Sequence, residues 1–211
     1  MKYTHIIWDW NGTLLNDVQA SLSSVNDMLA ERGKEPIDLE FYRECIGVPI
    51  KKFYERVFEL EKEDYNLIIK QYNEGYMRHL CECSLTDGAE EAVKYFCAKG
   101  INQAIVSSSN NAQLIQNVKR YGMDGMFNAV LGSEDYFAGS KIERAAEYLE
   151  KSGAEKEKVL VVGDLEHDFE LSKELGADCI LLTSGHENRT RLFQSGAPLI
   201  DDLFELIPLV E

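Results

Sequence analysis

The residues able to do chemistry in this chain stand at the ends of apolar runs. Thr4-His5-Ile6-Ile7-Trp8 ends in Asp9 and a turn, Trp10-Asn11-Gly12-Thr13-Leu14. Ala104-Ile105-Val106 ends in Ser107-Ser108-Ser109-Asn110. Lys141 follows Ala138-Gly139-Ser140 and opens an amphipathic stretch, and Val161-Val162 runs into Gly163-Asp164, with Asp168 four residues on. In an open parallel sheet such strand ends converge on one crevice, where ligands bind. Carboxylates with a main-chain oxygen suit Mg²⁺, a hard ion that keeps several waters. The metal and Lys141 would neutralise phosphate oxygens, while Ser107 and nearby N–H groups donate hydrogen bonds to them. Asp9 is then the nucleophile, forming an aspartyl-phosphate that water hydrolyses. The expected chemistry is phosphoryl transfer, whose loose transition state asks mainly for placement and charge compensation.

Each position also has a plainer use. Asp9 suits a turn. Ser107 to Asn110, and Asp164 or Asp168, suit helix caps. Lys141 suits a solvated helix face. His167 is expected as a loop histidine outside any magnesium site, because that ion prefers oxygen. Trp8 and Trp10 are expected in packing. The joint order of the four elements is what favours the chemical reading.

Positioning these groups takes an α/β scaffold. After the first strand, residues 17 to about 82 read as helices, with no strand among them. Val18, Leu22, Val25 and Leu29 recur at helical spacing up to a stop at Arg32-Gly33. Phe41 to Ile46, Ile50 to Leu60 and Tyr65 to Leu80 predict three more helices. From residue 87 strands and helices alternate. Strands are expected at 103–106, 129–131, 159–162, 179–182 and 198–200. Helices are expected at 89–99, 112–121, 141–151, 168–175, 187–194 and 201–209, and Gly100, Gly122, Gly153, Gly176 and Gly196 follow five of them. The pattern predicts a Rossmann-like, doubly wound parallel sheet with helices on both faces. The expected organisation is an α/β core of residues 1–15 and 85–211, with an inserted α-helical cap domain at 16–84.

Composition narrows the partners. The 211 residues are 45% hydrophobic, enough for a sizeable core, and carry a formal charge of −15. Such a balance repels nucleic acid, and no basic run offsets it. No stretch approaches the roughly 20 apolar residues of a membrane span. Five irregularly spaced cysteines form no zinc pattern and fit a reduced, cytoplasmic protein, expected as a monomer or homodimer.

Taken together, these motifs resemble the haloacid dehalogenase-like superfamily and, within it, the phosphoglycolate phosphatase-like branch, over nearly the whole chain. Asp9-Trp10-Asn11-Gly12-Thr13-Leu14 is similar to the family's Asp-x-Asp-Gly-Thr-Leu. Ser107, Lys141 and Gly163-Asp164 with Asp168 stand where its second, third and fourth motifs would be, although the usual Gly-Lys-Pro is here Gly139-Ser140-Lys141-Ile142. Cys45-Ile46-Gly47-Val48-Pro49-Ile50 is similar to the substrate-facing turn of such caps. The resemblance implies that Asp9, the main-chain carbonyl of Asn11 and Asp164 hold Mg²⁺, with Asp168 in support. It further implies that Ser107 and the N–H of Ser108 bind phosphate, and that Lys141 steadies Asp9 and the phosphate. The expected substrate is a small phosphorylated metabolite.

The departure is Asn11. Phosphatases of the family carry there an Asp that protonates the leaving oxygen and later activates water. An amide cannot exchange a proton at neutral pH, and general acid–base help is worth roughly 10²–10⁴ in rate. The chain is therefore expected to be a phosphatase that is slow, finds another proton donor, or acts on good leaving groups such as aryl or acyl phosphates. A second reading is C–P bond cleavage of the phosphonoacetaldehyde hydrolase type, using a cap lysine as a Schiff base. Lys51 and Lys52 lie close to the place where that branch has its lysine, and Lys51 is also a candidate for substrate binding. A third is a non-catalytic binder of phosphorylated ligands. Arg43, Lys51, Lys52 and Arg56 are basic candidates near the substrate, and Tyr42 and Phe53 either shape a pocket or fill the helical core.

Overall fold

The computed structural model describes residues 2–134 and 140–210. The chain begins with β1 (His5–Trp8), a short β2 (Leu15–Asn16) and four helices: α1 (Val18–Glu31), α2 (Leu39–Cys45), α3 (Lys51–Val57) and α4 (Tyr65–His79). It continues through β3 (Ser84–Leu85), α5 (Ala89–Ala98), β4 (Asn102–Asn110), α6 (Asn111–Arg120), β5 (Ala129–Ser133) and α7 (Lys141–Ser152). The last third is β6 (Val159–Gly163), α8 (Glu166–Leu175), β7 (Asp178–Leu182), α9 (Arg189–Ser195), β8 (Leu199–Ile200) and α10 (Leu206–Val210).

Six strands form one sheet in the order β5-β4-β1-β6-β7-β8, every pairing parallel. Counted along the sheet-forming strands alone, this is the doubly wound 3-2-1-4-5-6 order, whose switch point lies beside β1. Trp8 pairs in register with Ile105 of β4 and Val162 of β6, so the residues just beyond β1 and β6 leave the sheet side by side, next to the second half of β4. Side chains of β1 alternate between faces. Ile6 and Trp8 join a core with Phe96 of α5 and Leu114 of α6, whereas Ile7 joins a second core with Ala145 of α7 and Leu171 of α8. Both faces are therefore covered, as continuous apolar strands require. Trp8 and Trp10 are buried, and the Trp8 indole donates to Gln103 Oε1 at 3.0 Å, so both serve packing as expected.

The helices at 18–79 share a core of their own, in which Val25, Phe53, Tyr54 and Ile68 are buried, and α1 packs along α4. Where the chain leaves and re-enters the sheet region, β2 and β3 pair as an antiparallel two-stranded ribbon. Strands this short leave no periodicity to read, and the sequence did not predict them. The predicted helix at 201–209 forms only from Leu206, as Leu206–Val210. Asp202 takes the N–H groups of Phe204 and Glu205, and the Leu203 N–H goes to Asp87 O, which holds 201–205 in turns. β4 runs to Asn110, well past the expected Val106. The five helix-following glycines all have positive φ. Ala138 and Gly139 of the Lys141 motif lie outside the described residues.

Candidate active site

The short turn after β1 brings its own donors inward. Gly12 has φ +74°, and a β-carbon there would lie 2.2 Å from Asp164 Oδ2 and 2.4 Å from His186 Cδ2, so only glycine lets the turn approach so closely. The turn presents Asp9 from the end of β1. Asp164 follows β6, Asp168 stands in the first turn of α8 and Lys141 opens α7. All four are buried. Lys141 Nζ donates to Asp9 Oδ1 and to Asp168 Oδ1, each at 2.6 Å. Asp9, Asp164 and Asp168 each offer an oxygen within 4.8 Å of the others. Asp168 Oδ2 accepts the N–H groups of Asp164 and Leu165, so it also ties down the turn that carries Asp164. Thr13 Oγ1 and the His186 N–H donate to the two oxygens of Asp164, at 2.9 and 2.7 Å.

Electrostatics follow from that crowding. Burial pushes Asp9 up to about 6, with repulsion from Asp168 adding to it against the pull of Lys141. Burial pushes Asp164 up to about 8, helped by Asp9 and Asp168. Burial alone would lower Lys141, but its two carboxylate partners hold it above the usual lysine range. Three carboxylates against one ammonium, all out of water, leave uncompensated negative charge. An all-oxygen donor set of this kind fits a hard divalent cation.

Ser107, inside β4, is buried and accepts the Ser109 N–H at 3.2 Å. Its main-chain oxygen is held by Arg144 Nη2 at 2.9 Å. Ser108 is exposed. Asn110 is the residue that caps α6, through bonds from Ala112 and Gln113. Asn11 turns its side chain into a second polar group, centred on Asp17. Lys51 is not drawn in. It is exposed on α3, 4.0 Å from Glu55, and Lys52 beside it is exposed too, because the apolar face of α3 is taken by Phe53, Tyr54 and Val57. The Schiff-base reading therefore has no lysine from α3 in this group. Arg56 lies over the Phe41 ring. His167 is on α8 and not in a loop, 3.2 Å from Glu170.

The polar group behind Asn11 was missed in the sequence. Asp17 is almost fully buried and accepts four bonds: Gly12 N–H and His186 Nε2 at Oδ1, Asn11 Nδ2 and the Tyr76 hydroxyl at Oδ2. His186 Nδ1 lies 2.9 Å from the Tyr42 hydroxyl, so Tyr42 both fills the helical core and reaches the sheet side. Burial would lower His186, but the Asp17 carboxylate raises it to about 9. Burial would raise Asp17, but His186 and its hydrogen-bond donors hold it below the ordinary aspartate value. Asp17 stands at the N-cap position of α1. Its side chain makes no cap bond, and no local signal marks the contact with a histidine 169 residues away.

A doubly wound parallel sheet with an aspartate–lysine cluster at its switch point defines a class of α/β hydrolytic enzymes. Residues 6–182 match the family model described as haloacid dehalogenase-like hydrolase, and the chain belongs to that family. It is similar to phosphoglycolate phosphatase 1 of Pseudomonas aeruginosa, at 24% identity over 98% of this chain and 79% of the relative. It is also similar to pyrophosphatase PpaX of Halalkalibacterium halodurans, at 26% identity over 83% of this chain and 81% of the relative. The fold matches a haloacid dehalogenase-like family protein of Streptococcus pneumoniae with a TM-score of 0.87 and 16% identity, over 100% and 99% of the two chains. Among the described residues no helix is long and apolar enough to cross a membrane.

Proposed function

We propose that this enzyme is a Mg²⁺-dependent phosphatase of the cytoplasm, hydrolysing a small phosphorylated metabolite through an aspartyl-phosphate on Asp9. The observation that carries this reading is the buried Lys141 bridge between Asp9 and Asp168, with Asp164 alongside. The names of the relatives, phosphoglycolate phosphatase and pyrophosphatase, support a phosphate-bearing substrate. Residues 16–84 act as a helical cap over a core of 1–15 and 85–211.

Asp9, the main-chain carbonyl of Asn11 and Asp164 would hold the metal, with Asp168 in support. Bound there, the ion supplies positive charge that neutralises phosphate oxygens and lets the carboxylates stay ionised. Lys141 orients the Asp9 carboxylate by gripping Oδ1 and adds its own charge on the phosphate side. Ser107 Oγ accepts the Ser109 N–H, which leaves its own hydrogen to donate to a phosphate oxygen. The Ser108 N–H is the second phosphate donor. Asp9 attacks phosphorus and the bond to the departing oxygen breaks, its electron pair leaving with that oxygen. Water then attacks the phosphorus and the bond to Asp9 breaks, its electron pair restoring the carboxylate, while the water's protons stay on the released phosphate or pass to solvent. The test is Mg²⁺-dependent phosphate release from an aryl phosphate. Wild-type protein should release phosphate, and Asp9→Asn should fall to background. Full turnover by Asp9→Asn would overturn the assignment.

A further inference from the structure

Asn11 has no hydrogen left for a substrate. Its Nδ2 donates one bond to Asp17 Oδ2 at 2.7 Å and one to the Tyr76 hydroxyl at 2.8 Å, while its Oδ1 accepts from Ser109 Oγ at 2.6 Å. Those partners also set its orientation, because the Asp17 carboxylate accepts and cannot donate. Tyr76 in turn donates to Asp17 Oδ2 at 2.7 Å, so amide, phenol and carboxylate close a triangle. Asp17 thereby consumes the one side chain beside the Asp9 turn that could have reached a departing oxygen from position 11.

We infer that the substrates of this enzyme are phosphoric anhydrides, whose leaving group departs as a stable anion and needs no proton. The inference rests on the phosphatase reading and narrows it. In an alkyl ester the departing oxygen becomes an alkoxide and must be protonated as the bond breaks. In an acyl phosphate or a diphosphate it leaves as a carboxylate or phosphate, with the electron pair and no proton transfer. Asp9 still attacks without help from position 11. The help that an Asp there would give the hydrolytic water is lost as well, but that loss falls on the shared aspartyl-phosphate and is the same for every substrate.

The geometry also says what would restore the missing acid. Asn11→Asp alone sets a second carboxylate against Asp17, in place of a donor. Asn11→Asp with Asp17→Asn reverses the polarity of the same contact. The amide oxygen then standing at position 17 can keep the Gly12 and His186 bonds. The amide nitrogen beside it can donate to the carboxyl group at position 11, which Tyr76 and Ser109 can also serve.

The experiment measures kcat/KM with Mg²⁺ for acetyl phosphate, pyrophosphate and glycerol phosphate, using wild type, Asn11→Asp and the double variant. kcat/KM reports the steps through loss of the leaving group, so a slow second half-reaction does not mask the ratio. Wild type should favour at least one anhydride over the alkyl ester by about 10²-fold or more, the size of general acid help. Acetyl phosphate and pyrophosphate separate the two sources of the anhydride. The double variant should recover much of that factor on glycerol phosphate, and Asn11→Asp alone should not. Equal wild-type kcat/KM on the ester and both anhydrides would overturn the inference while leaving a phosphatase. No release from any substrate would overturn the phosphatase reading and the inference with it. The wild-type ratio stands as a test even if a variant fails to fold.

Discussion

Lys141 is the residue on which the acidic cluster depends before any ligand arrives. Its ammonium is the cation bonded to both Asp9 and Asp168. Removing one partner of a buried ion pair leaves uncompensated charge and typically costs about 3–5 kcal/mol. Lys141→Met should therefore lower stability by roughly that amount, measured as urea unfolding in EDTA. Mg²⁺ should return part of the loss, since it supplies the missing positive charge to the same carboxylates. A variant as stable as wild type in EDTA would mean that the cluster already holds protons enough to be neutral. Lys141 also illustrates how a residue of bland local appearance acquires a role. Nothing in Ser140-Lys141-Ile142 distinguishes it from a surface helix lysine, yet the Ser140 capping box with Glu143 fixes where α7 starts and turns Lys141 inward.

At the scale of elements, the helical block touches the sheet side through a few charged donors on main-chain carbonyls. Arg191 of α9 donates to Ile46 O at 2.6 Å and Glu44 O at 2.5 Å, the orphan acceptors at the end of α2. Glu187 holds the same guanidinium from below at 2.5 Å. From the other side, Arg43 of α2 donates to Ser184 O at 2.7 Å. The arrangement works because α2 ends in carbonyls that its own turn cannot satisfy. Arg191→Ala should weaken this contact by about 1.5 kcal/mol, the scale of a charged hydrogen bond. Hydrogen exchange of the Tyr42–Ile46 amides should then quicken several-fold, with the amides of β1 and β6 unchanged. Unchanged exchange at α2 would show that Tyr42 on His186 and Arg43 on Ser184 hold the contact without Arg191.

For the whole molecule, three buried groups give the metal-free protein a pH dependence of one sign. His186 is raised to about 9, so its pairing with Asp17 contributes fully below its ordinary value of 6.5 and is lost as pH climbs through 9. Asp9 and Asp164, at about 6 and about 8, bind protons in the folded state that the unfolded chain has already released, so they too favour folding less as pH rises. Stability in EDTA, read from urea midpoints, should fall from pH 6 to pH 9 through Asp164 up to about 8 and His186 up to about 9, the Asp9 part being largely lost by pH 6. Mg²⁺ should flatten the portion due to Asp9 and Asp164, because bound cation favours their ionised forms, and leave the His186 portion in place. A midpoint that rises over this range would contradict the burial of these charges.

The sequence by itself determined the layers and the main chemical groups of this protein. Apolar runs of strand length, each ending in a polar residue, alternate with amphipathic helices closed by glycine. That alternation implies a parallel sheet, and a parallel sheet puts the carboxyl ends of its strands on one edge, where they can share a crevice. Asp9, Asp164 and Asp168 could therefore be expected together from local pattern, with Lys141 added by its place at the start of a helix. Only the tertiary structure decided the rest. Asp17 and His186 lie 169 residues apart and meet because the segment that runs from β1 through β2 into α1 and the loop after β7 leave the same edge of the sheet. Tyr76 joins them from α4, so the state of Asn11 depends on three segments that carry no mutual signal along the chain. Lys51 shows the converse, a lysine that the family resemblance suggested and helix packing turned outward. The physical reason is the same in each case. Periodicity encodes which face of an element is buried, whereas hydrogen-bond partners across elements are chosen by distances that exist only after the cores have packed.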